Sequence, residues 1–113
     1  MAKPPTERRK DRRQELACPV FLVDDSGGKP LKSRTVNLSD GGAYLTMPAH
    51  EAPPPGRQVA VVLRVPRRTP NTYMLEEFCA QAVVVRQDER REDACIGIAL
   101  RFLQRLDLTL EVF

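Results

Sequence analysis

Two short stretches of this 113-residue chain carry side chains that could bind a small anionic ligand. One is an arginine-rich run near the N-terminus, and the other is a polar, glycine-containing stretch between two apolar runs. Guanidinium groups make forked hydrogen bonds to phosphates and to purine edges, and short amide or hydroxyl groups can bond to the edge of a base. The candidate ligand-binding residues are Arg8, Arg9, Arg12, Arg13, Asn37, Ser39, Gly41 and Gly42.

The excess positive charge lies entirely at the N-terminus. Residues 1–15 hold six cations and three anions, which accounts for the whole net charge of +3, and the remainder holds twelve of each. A neutral body does not suit a protein that follows long stretches of nucleic-acid backbone. A compact cationic arm suits either a small anionic partner or a solvated tail.

The stretch Asn37–Gly42 is predicted to be a sharp turn, because adjacent glycines accept a positive φ without steric cost. Alone it would be read as a plain connection between two strands. Asp40, within it, is expected to face solvent or to pair with an arginine of the arm. The arginine run is what makes a two-part binding site the better hypothesis.

Six short predicted strands would position these residues. Residues 58–65 alternate strictly between two faces, which is typical of a half-buried antiparallel strand. Prolines and charged residues mark the connectors. Apolar residues at helical spacing in 103–113 indicate a short C-terminal helix, with a terminal strand as the alternative. Six strands and hardly any helix predict an all-β barrel or sandwich. The predicted strands are 16–23, 31–36, 43–47, 58–65, 77–86 and 95–102.

Other chemistries find little support. The three cysteines, Cys18, Cys79 and Cys95, are widely spaced and are expected to be core or half-core residues rather than metal ligands or disulfides. The single histidine, His50, lies in a proline-rich loop and is expected at the surface. No catalytic motif is present, so we expect no enzyme. No secretion signal or membrane span is expected, which places the protein in the cytoplasm without membrane insertion.

The two stretches together resemble the PilZ domain family. The arm contains Arg-x-x-x-Arg in two frames, and Asn37-x-Ser39-x-x-Gly42 follows downstream. Residues 83–86 (Val-Val-Val-Arg) and 97–102 (Gly-Ile-Ala-Leu-Arg-Phe) are similar to later strands of the family. The resemblance implies a six-stranded antiparallel β-barrel of split-barrel type that binds cyclic di-GMP through the eight residues named above. Family spacing favours the Arg9 and Arg13 frame, with Arg8 and Arg12 as helpers.

The resemblance also implies a receptor that passes its signal to a separate protein effector. We expect a flexible basic arm over residues 1–14 and a barrel domain over 15–113, with the arm ordering over the ligand. No cofactor besides cyclic di-GMP, no metal and no specific nucleic acid are expected. Two alternatives remain open: a PilZ-fold interaction module that binds no ligand, and a small β-barrel that binds single-stranded nucleic acid, which would need exposed aromatic side chains.

Overall fold

The computed structural model describes residues 14–24, 29–68, 70–89 and 94–109. These residues form seven β-strands and a single 3-10 turn at Ala49–Glu51, with no α-helix among them. The strands are β1 (Gln14–Glu15), β2 (Pro19–Asp24), β3 (Leu31–Ser39), β4 (Gly42–Pro48), β5 (Gln58–Arg68), β6 (Tyr73–Glu89) and β7 (Cys95–Phe102).

Strands β2 to β7 close into a six-stranded barrel. Their order is β3-β2-β5-β6-β7-β4, and β4 pairs back onto β3 to complete the circle. Every pairing in the sheet is antiparallel, and the two-residue β1 adds to the end of β3 beyond the residues that pair with β2. The prediction of an all-β fold, and the six-stranded antiparallel barrel implied by the resemblance, are confirmed.

The core follows from the period-two alternation of the strands. On β5 the residues Val59, Val61, Leu63 and Val65 are almost fully buried, whereas their neighbours on the other face are half-buried or exposed. The inward residues of the other strands join them in one apolar cluster. Burying each such side chain contributes about 1.5–3 kcal/mol, so the barrel is held mainly by its filled interior.

The fifth and sixth strands are longer than the sequence pattern predicted. The alternation predicted a strand that ends at residue 65 and another that begins at residue 77, but Pro66–Arg68 continue β5 and pair with Tyr73–Leu75 of β6. Strand β2 pairs with β5 only as far as Leu63, so Pro66 has a strand neighbour on one side only. Proline is tolerated at such an edge, because no hydrogen-bond donor is needed there.

The segment after β7 does not form the C-terminal helix over residues 103–109. Its backbone amides bond to distant groups instead of to one another: the N–H of Leu106 donates to the Asp40 carbonyl at 2.9 Å, and the N–H of Leu108 donates to Asp40 Oδ1 at 3.0 Å. Leu108 is fully buried in the core. Tertiary bonds and one buried side chain therefore replace the helix, and residues 110–113 lie outside the described ranges.

The expectation for the cysteines holds at two positions of three. Cys18 is buried and Cys95 is half-buried, but Cys79 is exposed. Cys79 belongs to the outward face of β6, opposite the face that carries Ala80 and Ala82. Desolvation by burial raises the pKa of the Cys18 thiol, which keeps it protonated.

Candidate functional site

The predicted turn is shorter than its motif. Asn37 and Ser39 belong to the end of β3, Gly42 begins β4, and only Asp40 and Gly41 form the turn between them. The turn does not use the tolerance of the paired glycines for a positive φ, because among the described glycines only Gly56 has one. Gly42 is required for another reason: a Cβ there would collide with the backbone carbonyl oxygen of Leu100 on β7.

Ser39 is turned towards its own hairpin. Its side chain is 7% exposed. The hydroxyl accepts the N–H of Gly41 at 3.3 Å and donates to the carbonyl of Gly42 at 3.4 Å. Both bonds are longer than the usual 2.5–3.2 Å range, so they are weak. The hydroxyl thus orders the turn, and its role as a ligand contact stays a prediction.

Asp40 bonds to the C-terminal segment rather than to the arm among the contacts that the structure describes. It accepts the two amides of Leu106 and Leu108 and lies 3.8 Å from the guanidinium of Arg105. On the other side of this segment, Arg67 donates to the carbonyl oxygens of Leu108 and Thr109. The turn and residues 105–109 are therefore fixed to each other.

The root of the arm is attached to the strand that carries the motif. In β1, Gln14 pairs with Leu38 and Glu15 pairs with Asn37. The next residues are held by the buried Thr35, whose hydroxyl accepts the N–H of Cys18 at 2.9 Å and donates to the carbonyl of Leu16. The predicted Arg8, Arg9, Arg12 and Arg13 lie outside the described residues, but the chain joins β1 immediately after Arg13.

Three further polar residues lie on the outer wall of the barrel beside the motif. Tyr44 of β4 is the cross-strand partner of Asn37, and its hydroxyl donates to Asp88 Oδ2 at 3.0 Å. Arg86 of β6 donates from Nε to the same carboxylate at 3.1 Å and lies 5.8 Å from the centre of the Tyr44 ring. The hydrogen bond from Tyr44, and then the hydrogen bond and the charge of Arg86, lower the pKa of Asp88.

The sequence pattern missed these three residues. Alternation along β4 could have placed Tyr44 outward, but the β6 pattern ended at Arg86 and assigned Asp88 to a charged turn. Their proximity depends on strand register, which no local signal supplies. In the part of the chain described, no cluster of His, Cys, Asp or Glu could hold a metal ion, and no helix is long and apolar enough to cross a membrane.

A small antiparallel β-barrel with an N-x-S-x-x-G hairpin on its rim is the arrangement that the resemblance implied. The family model of the PilZ domain matches residues 7–112, which is nearly the entire chain. The chain therefore belongs to the PilZ domain family. No curated protein sequence matches it.

Solved structures agree with this fold. The inhibitor of motility MotI/DgrA from Bacillus subtilis matches with a TM-score of 0.71 and 18% identity over 90% of this chain, which spans 48% of that protein. The PilZ domain of CeSA from a cellulose-synthesizing bacterium has a TM-score of 0.56 and 17% identity, covering 82% of this chain and 81% of its own. The PilZ domain of YcgR from Escherichia coli, solved with c-di-GMP, has a TM-score of 0.55 and 17% identity, covering 85% and 78%.

Proposed function

We propose that this protein is a receptor for cyclic di-GMP that binds the ligand between its arginine arm and the Asn37–Gly42 hairpin. The observation that carries the proposal is the attachment of β1, which ties the chain directly after Arg13 to Asn37 and Leu38. The arm therefore begins beside the hairpin and not at a remote end of the barrel. Membership of the PilZ family, and the c-di-GMP in the YcgR domain, support the choice of ligand.

The ligand and the residues are chemically matched. Cyclic di-GMP carries two phosphodiester anions and two guanines. Arg9 and Arg13, with Arg8 and Arg12 as helpers, supply forked donors for phosphates or for guanine O6 and N7. Asn37 supplies a short amide at the barrel rim, Ser39 orders the turn and offers its hydroxyl, and Gly41 and Gly42 keep the rim free of side chains.

The signal would be relayed by ordering the arm. Fixing a backbone residue costs about 1–2 kcal/mol, so the charge-assisted bonds to two phosphates must exceed that cost over several residues. The ordered arm then presents a new surface to a separate protein effector. This role is regulatory, and the family relationship supports a binding module rather than an enzyme.

Calorimetric titration with cyclic di-GMP tests the proposal, with GTP and cyclic GMP as control ligands. We expect the wild type to bind cyclic di-GMP selectively, and Arg9→Ala, Arg13→Ala and Ser39→Ala each to weaken binding while the barrel stays folded. Arg64→Ala is the matched control, because Arg64 lies on β5, across the barrel from β4, and is exposed.

Three results would contradict the proposal. Wild-type affinity in all three variants would show that these residues do not hold the ligand. A folded wild type that binds no cyclic di-GMP would favour the interaction module. Salt-dependent binding of oligonucleotides without binding of cyclic di-GMP would favour the single-strand binder.

A further inference from the structure

One end of β6 extends beyond the strand that should cover its second edge. β7 pairs with β6 only from Ala82 onwards, and Leu103 adds one more bond, from its N–H to the carbonyl of Gln81 at 2.8 Å. Before that point β6 pairs only with β5. Among the described residues, the other edge of residues 73–80 therefore has no strand neighbour.

This free edge presents the backbone groups of every second residue. The carbonyl of Gln81 points to it, whereas the N–H and carbonyl of Val84 point to the β5 side, where they bond to Arg57 and Gly56. Because β5 and β6 pair without a register shift, the same alternation continues towards the end of the hairpin. The residues whose N–H and carbonyl face the free edge are Tyr73, Leu75, Glu77 and Cys79.

The edge lacks the devices with which proteins usually prevent strand addition, which are proline, lysine and β-bulges. On the opposite edge of the hairpin, Pro66 of β5 removes a donor. Residues 73–80 contain neither proline nor lysine. The two β-bulges of the described strands lie elsewhere, at Val36 and Val85. The free edge of β6 can therefore accept another strand.

Exposed apolar side chains lie along the same edge. Tyr73, Met74 and Leu75 are 61%, 59% and 41% exposed, and they are three of the six large apolar residues that are exposed in the described chain. An unpaired strand edge with apolar side chains is a template for a strand from another molecule. These residues are therefore suited to an interface.

The charges of the hairpin favour a second copy of this chain as the source of that strand. Arg64 of β5 lies 3.5 Å from the carboxylate of Glu77 on β6. Arg68 of β5 has no acidic partner among the described residues, and its guanidinium carbon lies 5.8 Å from the centre of the Tyr73 ring. An acidic residue supplied by a neighbouring strand would complete this end of the hairpin.

Antiparallel pairing of two copies of β6 supplies that residue when the twofold axis passes through Leu75. Leu75 then pairs with itself, and Glu77 pairs with Tyr73 of the second copy. Because Arg68 is the cross-strand partner of Tyr73, Glu77 lies between an arginine of its own hairpin and one of the other copy. An axis at Glu76 or at Glu77 would instead oppose like charges, which is destabilising.

We propose that this chain forms a homodimer by strand addition, with β6 of one copy antiparallel to β6 of the other and the twofold axis at Leu75. β7 begins to pair at Ala82, seven residues and about 24 Å along the strand from the axis. The two barrels therefore lie at opposite ends of the paired segment. The dimer does not depend on the proposed binding of cyclic di-GMP.

Sedimentation equilibrium of the full chain over a range of concentrations tests the dimer. We expect the wild type to show a monomer–dimer equilibrium. Leu75→Pro removes a donor from the free edge but none from the β5 pairing, and Leu75→Lys places two cations at the axis. Each should raise the dissociation constant at least tenfold. Val36→Lys is the matched control, because Val36 is 39% exposed on β3 and should leave association unchanged.

Disulfide cross-linking with oxidised glutathione tests the register. In a Cys79→Ser background, Leu75→Cys should form a disulfide between copies, since directly paired residues of this kind have Cα atoms about 5.5 Å apart. Val36→Cys in the same background should not. Cys79 of the wild type should not cross-link either, because this register separates the two copies of Cys79 by about 27 Å along the strands.

Three results would overturn the proposal. A wild type that stays monomeric at every concentration would refute the second copy and leave the edge to a strand of a different protein. Wild-type association of both Leu75→Pro and Leu75→Lys, with the fold verified by circular dichroism, would show that β6 is not the interface. A disulfide through Cys79 in the wild type, with none through Leu75→Cys, would refute the axis at Leu75.

Discussion

At the scale of single residues, the hairpin motif stabilises the barrel in addition to the ligand binding proposed for it. Gly42 lets β4 approach β7, and the Ser39 hydroxyl bonds within its own turn. A substitution in the motif can therefore lower affinity by disturbing the barrel. Stability has to be measured beside binding for every such variant.

Gly42→Asn should reduce the free energy of unfolding by about 1–3 kcal/mol, because any Cβ at this position meets the Leu100 carbonyl and a packed site resists added atoms. Urea denaturation measures the loss. Gly56→Asn is the control: the surroundings of Gly56 are open, and asparagine tolerates its φ of 88°. An equal loss in both variants would mean that the close approach of β4 and β7 is not the cause.

Tyr44→Phe should raise the pKa of Asp88 towards its ordinary value, because the hydrogen bond from the Tyr44 hydroxyl is the largest single contribution that lowers it. Arg86→Ala should also raise that pKa, because it removes both a hydrogen bond and a positive charge from the carboxylate. The carboxyl resonance of Asp88, followed by NMR during a pH titration, measures both changes. An unchanged titration in the Tyr44→Phe protein would show that the hydroxyl does not reach the carboxylate in solution.

The sign of the pH effect follows from the direction of this shift. The pKa of Asp88 is lower in the folded than in the unfolded protein, so the ionised carboxylate stabilises the fold. That contribution is complete above the unfolded pKa and disappears as the pH falls through the folded one. The loss of stability therefore occurs at acid pH, where the carboxyl group titrates. It should be small, because Asp88 is at the surface and solvent screens its interactions.

At the scale of elements, two short segments brace the barrel beside the hairpin. The two-residue β1 fixes the root of the arm, and residues 105–109 return from β7 to the hairpin turn. Asp40 holds this second segment from one side and Arg67 from the other, while Leu108 fills the core between them. The hairpin is thereby held by a segment near the N-terminus and by a segment near the C-terminus.

Leu108→Ala should cost about 2–5 kcal/mol of unfolding free energy, the usual range for truncating a fully buried leucine. Chemical denaturation gives the value, and hydrogen exchange should show faster exchange at the Leu106 and Leu108 amides. Leu103→Ala is the matched control, since Leu103 is 48% exposed and should cost little. Similar losses of unfolding free energy for both leucines would mean that Leu108 is not packed in the barrel core in solution.

At the scale of the whole molecule, charge and fold are separated along the chain. The neutral body forms the barrel, and the excess charge of +3 belongs to the first fifteen residues. The described residues from Gln14 onwards close the barrel through pairings among themselves. The barrel and the arm should therefore be separable in stability, although the proposed binding requires both.

Removing residues 1–13 should leave the thermal unfolding temperature of the ligand-free protein nearly unchanged and should abolish binding of cyclic di-GMP. A ligand that binds only the folded state raises the unfolding temperature. The full chain should show that rise, and the shortened chain should not. Retained binding by the shortened chain would show that the arginines are dispensable, and a large loss of stability would show that the arm is part of the barrel.

Six of the seven strands were readable from the sequence, because strand alternation and turn residues are local properties. Period two gave the buried face of β5 and of β7 and placed the hairpin between β3 and β4. The paired motifs gave the family. Strand patterns need only the side chains of neighbouring residues, so six strands and an all-β fold could be predicted, whereas the choice of a barrel over a sandwich came from the family resemblance.

Only the tertiary structure decided what depends on register and on contacts between distant residues. Both faces of β6 carry small or apolar residues, so the sequence could not show that Cys79 is exposed. The two bulges align Asn37, Tyr44 and Arg86, and no local pattern encodes them. The helical spacing after β7 was overridden because Leu108 gains more from burial, and its amide more from Asp40, than a short isolated helix provides.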